Sequence, residues 1–173
     1  MKAVVVYESH WGNTAAVARA IASGIGPGTP ALATDEASDL ALSDADLIVA
    51  GAPVIAFRLA TDPMRERIAE DERAPSDPDV AHPSMHDWLE QIPTGSGRAA
   101  AFETRIHWSP GGATGAIERG LQTAGYRRLA KSRKFFVTGT YGPLRDGELE
   151  AARDWGSELA NAVQVTDDVA AAH

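Results

Sequence analysis

The 173-residue sequence contains no cysteine. This excludes disulfides, thiol catalysis and cysteine-ligated zinc or iron–sulfur sites, and it is typical of a reducing compartment. No segment reaches the roughly 20 consecutive apolar residues that a membrane-spanning helix needs. The apolar stretch that follows Lys2 is too short and too soon interrupted for a signal peptide. We therefore expect a cytoplasmic protein without a membrane span.

Neither acidic nor basic residues are concentrated in one part of the chain. The chain has 24 acidic and 16 basic residues mixed along its length, with a net charge of −8. This balance disfavours non-specific nucleic-acid binding, which needs a basic surface, and it allows docking onto a basic partner protein. The length suits one domain with a sizeable core and is too short for two comfortable ones. We predict one domain over 1–165 and a flexible C-terminal tail over 166–173.

Short apolar runs alternate with amphipathic segments along the chain. Strands are predicted at Val4–Tyr7, 31–33, Leu47–Gly51, Ala99–Phe102 and 134–139, and helices from Thr14, over Met64–Glu72, after Ser84, over 112–125 and after Asp146. Strands too apolar to face water, alternating with helices, predict an α/β three-layer sandwich around a five-stranded parallel sheet of order 2-1-3-4-5. Ligands of such sheets bind where the strand order reverses, beyond the ends of strands 1 and 3.

The loop after the first strand, "ESHWGNT" over 8–14, lies at that point. One interpretation is an ordinary strand-to-helix connection in which Ser9 and Asn13 are turn and cap residues. The other is an anion-binding loop, since the first amides of a helix lack partners and the helix dipole is positive there. Ser9 and Thr14 add hydroxyl donors, and Gly12 lets the backbone approach a ligand closely. The loop has no lysine or arginine, so its donors are neutral. The set as a whole favours the anion.

The same loop resembles the FMN-phosphate loop of flavodoxins, in which a serine or threonine, two variable residues, a glycine and any residue precede a threonine at the first helix. "GAPVIAFRLATDP" from Gly51 resembles the second flavin loop of that family, and "FETRIHWSPGG" from Phe102 occupies the place of the third. "GPLRDGELEAARDWGSELA" from Gly142 is similar to a group of actinobacterial flavodoxin-domain proteins. The resemblance implies a flavodoxin-like fold with FMN as cofactor.

The resemblance also implies which residues touch the flavin. The phosphate would be bound through main-chain amides and hydroxyls of Ser9, His10, Trp11, Gly12, Asn13 and Thr14. The isoalloxazine would lie between the second loop, with Pro53, Val54, Ile55, Ala56 and Phe57, and the third, with Glu103, Thr104, Arg105, Trp108, Gly111 and Gly112. The sequence departs from the family where flavodoxins often stack an aromatic on the ring, since Val54 and Ile55 stand there. The third loop also lacks the usual acidic-rich pattern.

Two charged or metal-binding features have alternative interpretations. Arg105 is either a surface arginine or a cation near the flavin pyrimidine edge, where it would stabilise the anionic hydroquinone. His82 and His86 have the i, i+4 spacing of a metal pair, but Pro83 lies between them and the helix begins after it, so we predict no metal site. No catalytic residue is predicted.

Three functions are compatible with the sequence. The first, which we expect, is an FMN-binding electron carrier that shuttles electrons between a reductase and an acceptor protein, docking on their basic faces. The second is an FMN-dependent NAD(P)H or quinone oxidoreductase, in which the segment 74–97 roofs a substrate pocket. The third is a flavin-free binding module. A receiver domain is excluded because Glu8 stands alone after the first strand and the strand 47–51 ends in glycine.

Overall fold

The computed structural model describes residues 1–42 and 44–171. In chain order the elements are β1 (Ala3–Tyr7), α1 (Asn13–Ile25), β2 (Ala31–Ala33), α2 (Asp39–Leu42), β3 (Leu47–Pro53), α3 (Asp62–Ala69), α4 (Met85–Gln91), β4 (Arg98–Ile106), α5 (Thr114–Thr123), β5 (Arg127–Arg128), β6 (Arg133–Val137) and α6 (Glu148–Ala171). The predicted alternation of strands and helices is confirmed.

The strands form one parallel sheet of order β2-β1-β3-β4-β5, with β6 also paired to β4. The predicted order 2-1-3-4-5 is confirmed, but the fifth position holds two short strands and the sheet therefore has six. Arg127 pairs with Arg98 at the start of β4, and Arg133 pairs with Phe102 further along it. Between them Leu129 still donates to the Ala99 carbonyl, and the chain leaves the ladder only after that residue.

Helices cover both faces of the sheet, as the three-layer prediction requires. α1 and α6 pack on one face, where glycines let the two helices approach closely: a Cβ on Gly156 would clash with the Ile21 carbonyl. α4 and α5 pack on the other face, with Trp88 and Ile117 in the core. Apolar burial on both faces explains why the strands of this sheet are nearly continuous apolar runs.

Several element boundaries differ from the predicted ones. β4 is longer than predicted and includes residues 103–105, which were expected in a loop, because their charged side chains are buried and paired with each other. α3 ends at Ala69 rather than near Glu72. α6 reaches Ala171, so residues 166–171 are helical where a tail was predicted, and residues 172–173 lie outside the described part of the chain. Among the described residues, no helix is long and apolar enough to cross a membrane.

Candidate functional site

A cleft of about 350 Å³ opens at the carboxyl ends of β1, β3 and β4, the place that the strand order predicts. Predicted site residues that line it are Ser9, His10, Trp11, Asn13, Thr14, Pro53, Val54, Ile55, Ala56, Phe57, Thr104, Arg105 and Trp108. Predicted site residues that do not line it are Gly12, Glu103, Gly111 and Gly112. The structure therefore brings the three predicted loops together around one space.

The first loop ends in an uncapped helix N-terminus. Gly12 is the N-cap, with a left-handed φ of 86°, and no side chain caps the helix. The first helical backbone bond is donated by Ala16 to the Gly12 carbonyl, at 2.9 Å. The amides of residues 13–15 therefore point into the loop without an intrahelical acceptor. This geometry suits an anion.

Hydroxyl groups flank that helix end. The Ser9 Oγ accepts a bond from the Gly12 amide at 3.1 Å, which leaves the serine hydrogen free to donate elsewhere. The Thr14 and Thr104 hydroxyl oxygens lie 2.8 Å apart, and both side chains are buried. Only one of these two hydroxyl hydrogens is used between them, so the other remains available for an anion.

The second loop contains an unusual tight turn. Ile55 and Arg58 exchange both backbone hydrogen bonds, at 2.9 and 3.1 Å, as in a two-residue hairpin. The two residues between them, Ala56 and Phe57, have φ angles of 43° and 71°. Left-handed conformations cost an L-residue other than glycine roughly 1–2 kcal/mol each. Such strain concentrates at ligand-binding sites, so this turn marks the loop as a functional candidate.

The third loop is fastened to the second through its backbone. The Gly112 amide donates to the Phe57 carbonyl at 3.0 Å. Gly111 has a φ of 69°, and a Cβ there would clash with the same carbonyl. Trp108 is 76% exposed at the mouth of the cleft, and Phe57 is 53% exposed. The two loops are thus joined through their backbones, and each presents one exposed aromatic ring to the cleft.

Glu103 and Arg105 form a buried ion pair, which rules out the surface alternative for the arginine. Arg105 is buried rather than on the surface, and its Nη1 donates to Glu103 Oε1 at 2.9 Å and to the Gly111 carbonyl at 2.8 Å. The other carboxylate oxygen of Glu103 accepts from the Ala113 and Thr114 amides at 2.7 and 3.0 Å. Glu103 therefore holds the start of α5 beneath the cleft. The charge of Arg105 is neutralised before any ligand binds.

A second buried charge lies under the first loop. Glu8 is fully buried, with Oε1 3.1 Å from Arg65 Nε and Oε2 accepting from the Met85 amide at 2.9 Å. His10 Nε2 lies 3.5 Å from the same carboxylate. Burial lowers the pKa of His10 below its ordinary value, although Glu8 acts in the opposite direction. Arg65 also donates to the Val80 and His82 carbonyls, so this network fastens the segment after α3 to the end of β1.

The segment 74–97 does not roof the cleft. The described lining residues stop at Asp71 on one side of this segment and resume at Thr104 on the other. Its contacts are with the buried network instead, since the Asp79 amide donates to the His10 carbonyl at 2.8 Å. His82 and His86 have different partners in the structure: His82 Nδ1 lies 3.2 Å from Asp79 Oδ1, and His86 Nδ1 lies 3.7 Å from Glu90 Oε1.

One wall of the cleft was missed in the sequence. α3 contributes Met64, Arg67 and Ile68 to this wall, and Asp71 follows shortly after the end of that helix. The loop after β6 contributes Gly139 and Thr140. The sequence of this helix is heavily charged, which is typical of a helix on the surface. The i, i+4 pair of Met64 and Ile68 was the available signal for an inward face.

No protein-family model matches the chain, and no curated protein matches it by sequence. Solved structures do match. A flavodoxin from the domain Archaea is 24% identical with a TM-score of 0.63, over 95% of this chain and 99% of that one. Oxidised flavodoxin 1 from Bacillus cereus is 18% identical with a TM-score of 0.62, over 93% and 98%. Two-electron reduced Megasphaera elsdenii flavodoxin is 15% identical with a TM-score of 0.57, over 90% and 98%. The chain therefore has the flavodoxin-like fold.

Proposed function

We propose that the chain binds FMN in the cleft and carries electrons between redox partner proteins. The observation that carries the proposal is the uncapped start of α1, with the Ser9 and Thr14 hydroxyls beside it, at the switch point of this fold. That donor set is neutral and directional, as a phosphate bound by dipoles requires. FMN, when bound, supplies the redox chemistry, and the protein supplies binding and orientation.

The residues of the cleft fit this group in their chemistry. The amides of residues 13–15 and the Ser9 hydroxyl would hold the phosphate. The second and third loops would flank the ring system, with Phe57 and Trp108 as the exposed aromatic rings at its edge. Stacking on one such ring contributes about 1 kcal/mol beyond area burial. Ring contacts therefore add to binding, while the phosphate loop selects FMN over riboflavin.

A carrier role is favoured over turnover by the state of the charged groups around the cleft. Within the described chain, the carboxylates of Asp71 and Glu103 both accept hydrogen bonds from protein donors. Neither is positioned as a free general base. The net charge of −8 suits docking onto a basic partner protein.

One observation favours an FMN-dependent oxidoreductase as a second candidate. Arg67 lines the cleft, and no ion pair or hydrogen bond of its guanidinium is found among the described residues. A cation in that position suits an anionic second ligand such as a pyridine nucleotide. Oxidation of NADPH or NADH with a quinone acceptor, lost in Arg67→Ala, would establish that function over the carrier.

The test is the visible spectrum of the purified protein after FMN is added and the excess removed. We expect retained flavin absorbance, lost or strongly weakened in the double variant Ser9→Ala and Thr14→Ala. Thr123→Ala is the matched control, because its hydroxyl donates to the Arg119 carbonyl on the exposed side of α5, away from the cleft. A colourless wild-type protein at high FMN would overturn the proposal.

A further inference from the structure

The loop over 139–142 closes the cleft beside the first loop, and Tyr141 makes two contacts there. Its carbonyl accepts a hydrogen bond from the Asn13 side-chain amide at 3.0 Å. Its ring meets Trp11 edge to face, with centroids 5.0 Å apart and an interplanar angle of 82°. One residue, distant in sequence, thus touches the first loop on either side of Gly12.

The neighbouring glycine makes the close approach possible. Gly142 has a φ of 99°, and a Cβ there would lie 2.5 Å from the Asn13 side-chain nitrogen. Any other residue would displace the Asn13 side chain and would be strained by the positive φ. The backbone of this loop is therefore built to lie against the first residue of α1.

Trp11 depends on ring packing for its orientation. Its indole nitrogen is buried and has no hydrogen-bond partner among the described residues. The ring contacts found for it are with Tyr141 and His10. Since no hydrogen bond orients the indole, the Tyr141 ring is a main determinant of its position.

Tyr141 is itself fixed by the residues that follow α3. Its hydroxyl donates to Asp71 Oδ2 at 2.7 Å, and Arg73 occupies the other carboxylate oxygen through its amide and Nε, at 3.2 and 3.0 Å. These bonds, that of Tyr141 first, lower the pKa of Asp71, so the carboxylate stays ionised as the acceptor. A continuous chain of contacts therefore runs from Asp71 through Tyr141 to Asn13.

We propose that Tyr141 is a positioning residue for the phosphate loop: anchored on Asp71, it holds Trp11 and Asn13 so that the α1 amides are aimed at the phosphate. This inference rests on the proposed function. It assigns Tyr141 no contact with the flavin. Loss of the anchor should therefore weaken binding of the phosphate and leave binding of the ring system unchanged.

The experiment compares dissociation constants for FMN and riboflavin, measured by quenching of flavin fluorescence. Tyr141→Phe removes the bond to Asp71 and keeps the ring and carbonyl in place. One hydrogen bond of this kind changes an equilibrium constant by roughly three- to tenfold, so we expect the FMN dissociation constant to rise by that factor. Riboflavin binding should stay the same. Tyr141→Ala, which also removes the ring from Trp11, should raise the FMN constant further.

Four further variants control the interpretation. Tyr126→Phe removes a tyrosine hydroxyl bond, to the Pro93 carbonyl at 3.2 Å, far from the cleft and should change neither constant. Asp71→Asn keeps an oxygen acceptor for Tyr141 and should retain most of the FMN preference, whereas Asp71→Ala should lose as much as Tyr141→Phe does. Combining Asp71→Ala with Tyr141→Phe should add little, because both remove the same bond.

The outcomes separate this inference from the proposed function. A rise in the FMN constant alone supports the positioning role. An equal rise for FMN and riboflavin, or no rise for either, overturns that role while wild-type FMN binding stands. If the wild-type protein binds neither flavin, the proposed function fails and the positioning role fails with it.

Discussion

The strained left-handed turn of the second loop should lower the stability of the fold, and a substitution that relieves the strain should raise it. Ala56 and Phe57 occupy φ angles of 43° and 71°, which asparagine and glycine adopt far more readily in a two-residue hairpin. Ala56 is exposed, so replacing it loses no core packing. The variant Ala56→Asn should therefore stabilise the fold.

The magnitude follows from the backbone cost. An alanine in the left-handed conformation costs roughly 1–2 kcal/mol, and an asparagine there costs about half as much. We therefore expect Ala56→Asn to raise the free energy of unfolding by about 0.5–1 kcal/mol. In a chain of this length, 1 kcal/mol shifts the melting temperature by about 2–4 °C. Phe57→Gly also relieves strain, but glycine gives the unfolded chain more conformational freedom, which lowers the free energy of unfolding by about 0.4–1 kcal/mol. Its net effect on stability should be small.

The assay is urea denaturation with and without FMN. Ala56→Asn should raise the free energy of unfolding, and Ala56→Val should lower it by about 1 kcal/mol or more, since a β-branched residue is a severe outlier at positive φ. Phe57→Gly should leave stability nearly unchanged and weaken FMN binding by roughly fivefold through the lost ring contact. If asparagine and valine at position 56 have equal effects, the turn stores no strain and the reasoning is refuted.

Three further predictions concern the buried charges. Arg65→Met should destabilise the protein by about 3–5 kcal/mol, because Glu8 is left buried without a counter-ion, and adding Glu8→Gln should restore part of it in chemical denaturation. Glu103→Gln should cost about 3 kcal/mol, since Arg105 and the start of α5 lose a charged acceptor; an unchanged urea midpoint would contradict this. The lowered pKa of His10 means that the unfolded chain binds a proton near pH 6.5 before the folded one does, so stability should fall as pH drops through 6.5. His10→Gln should show a shallower loss between pH 7 and pH 5.

The parallel sheet was predictable because its strands are buried on both faces and therefore read as unbroken apolar runs. β5 was not, since two exposed arginines give no such signal. The length of β4 was missed for a different reason: Glu103 and Arg105 look like loop residues in sequence, and only their mutual pairing lets a strand carry them into the interior.

The candidate site also has a part that local sequence patterns predict and a part that they do not. The first loop was recognisable because its chemistry is local, a glycine and hydroxyls at a helix start within seven residues. The contributions of Arg67 and Tyr141 depend on where α3 and the loop after β6 come to rest, which no local pattern records. The local pattern of the first loop therefore predicted where the cleft lies, but not which residues of α3 and of the loop after β6 line it.

The charged groups around the cleft indicate how an anion would be bound there. Glu8, Glu103 and Asp71 all lie near it, and each accepts hydrogen bonds from protein donors, so their charge is compensated internally. The first loop has no cation of its own. An anion bound there is held by oriented dipoles, whose contribution falls steeply with misalignment, rather than by net charge. Affinity for FMN should therefore respond weakly to salt but strongly to the contacts, such as those of Tyr141, that set loop geometry. A steep fall in affinity between 50 and 500 mM salt would instead assign the main role to a free cation such as Arg67.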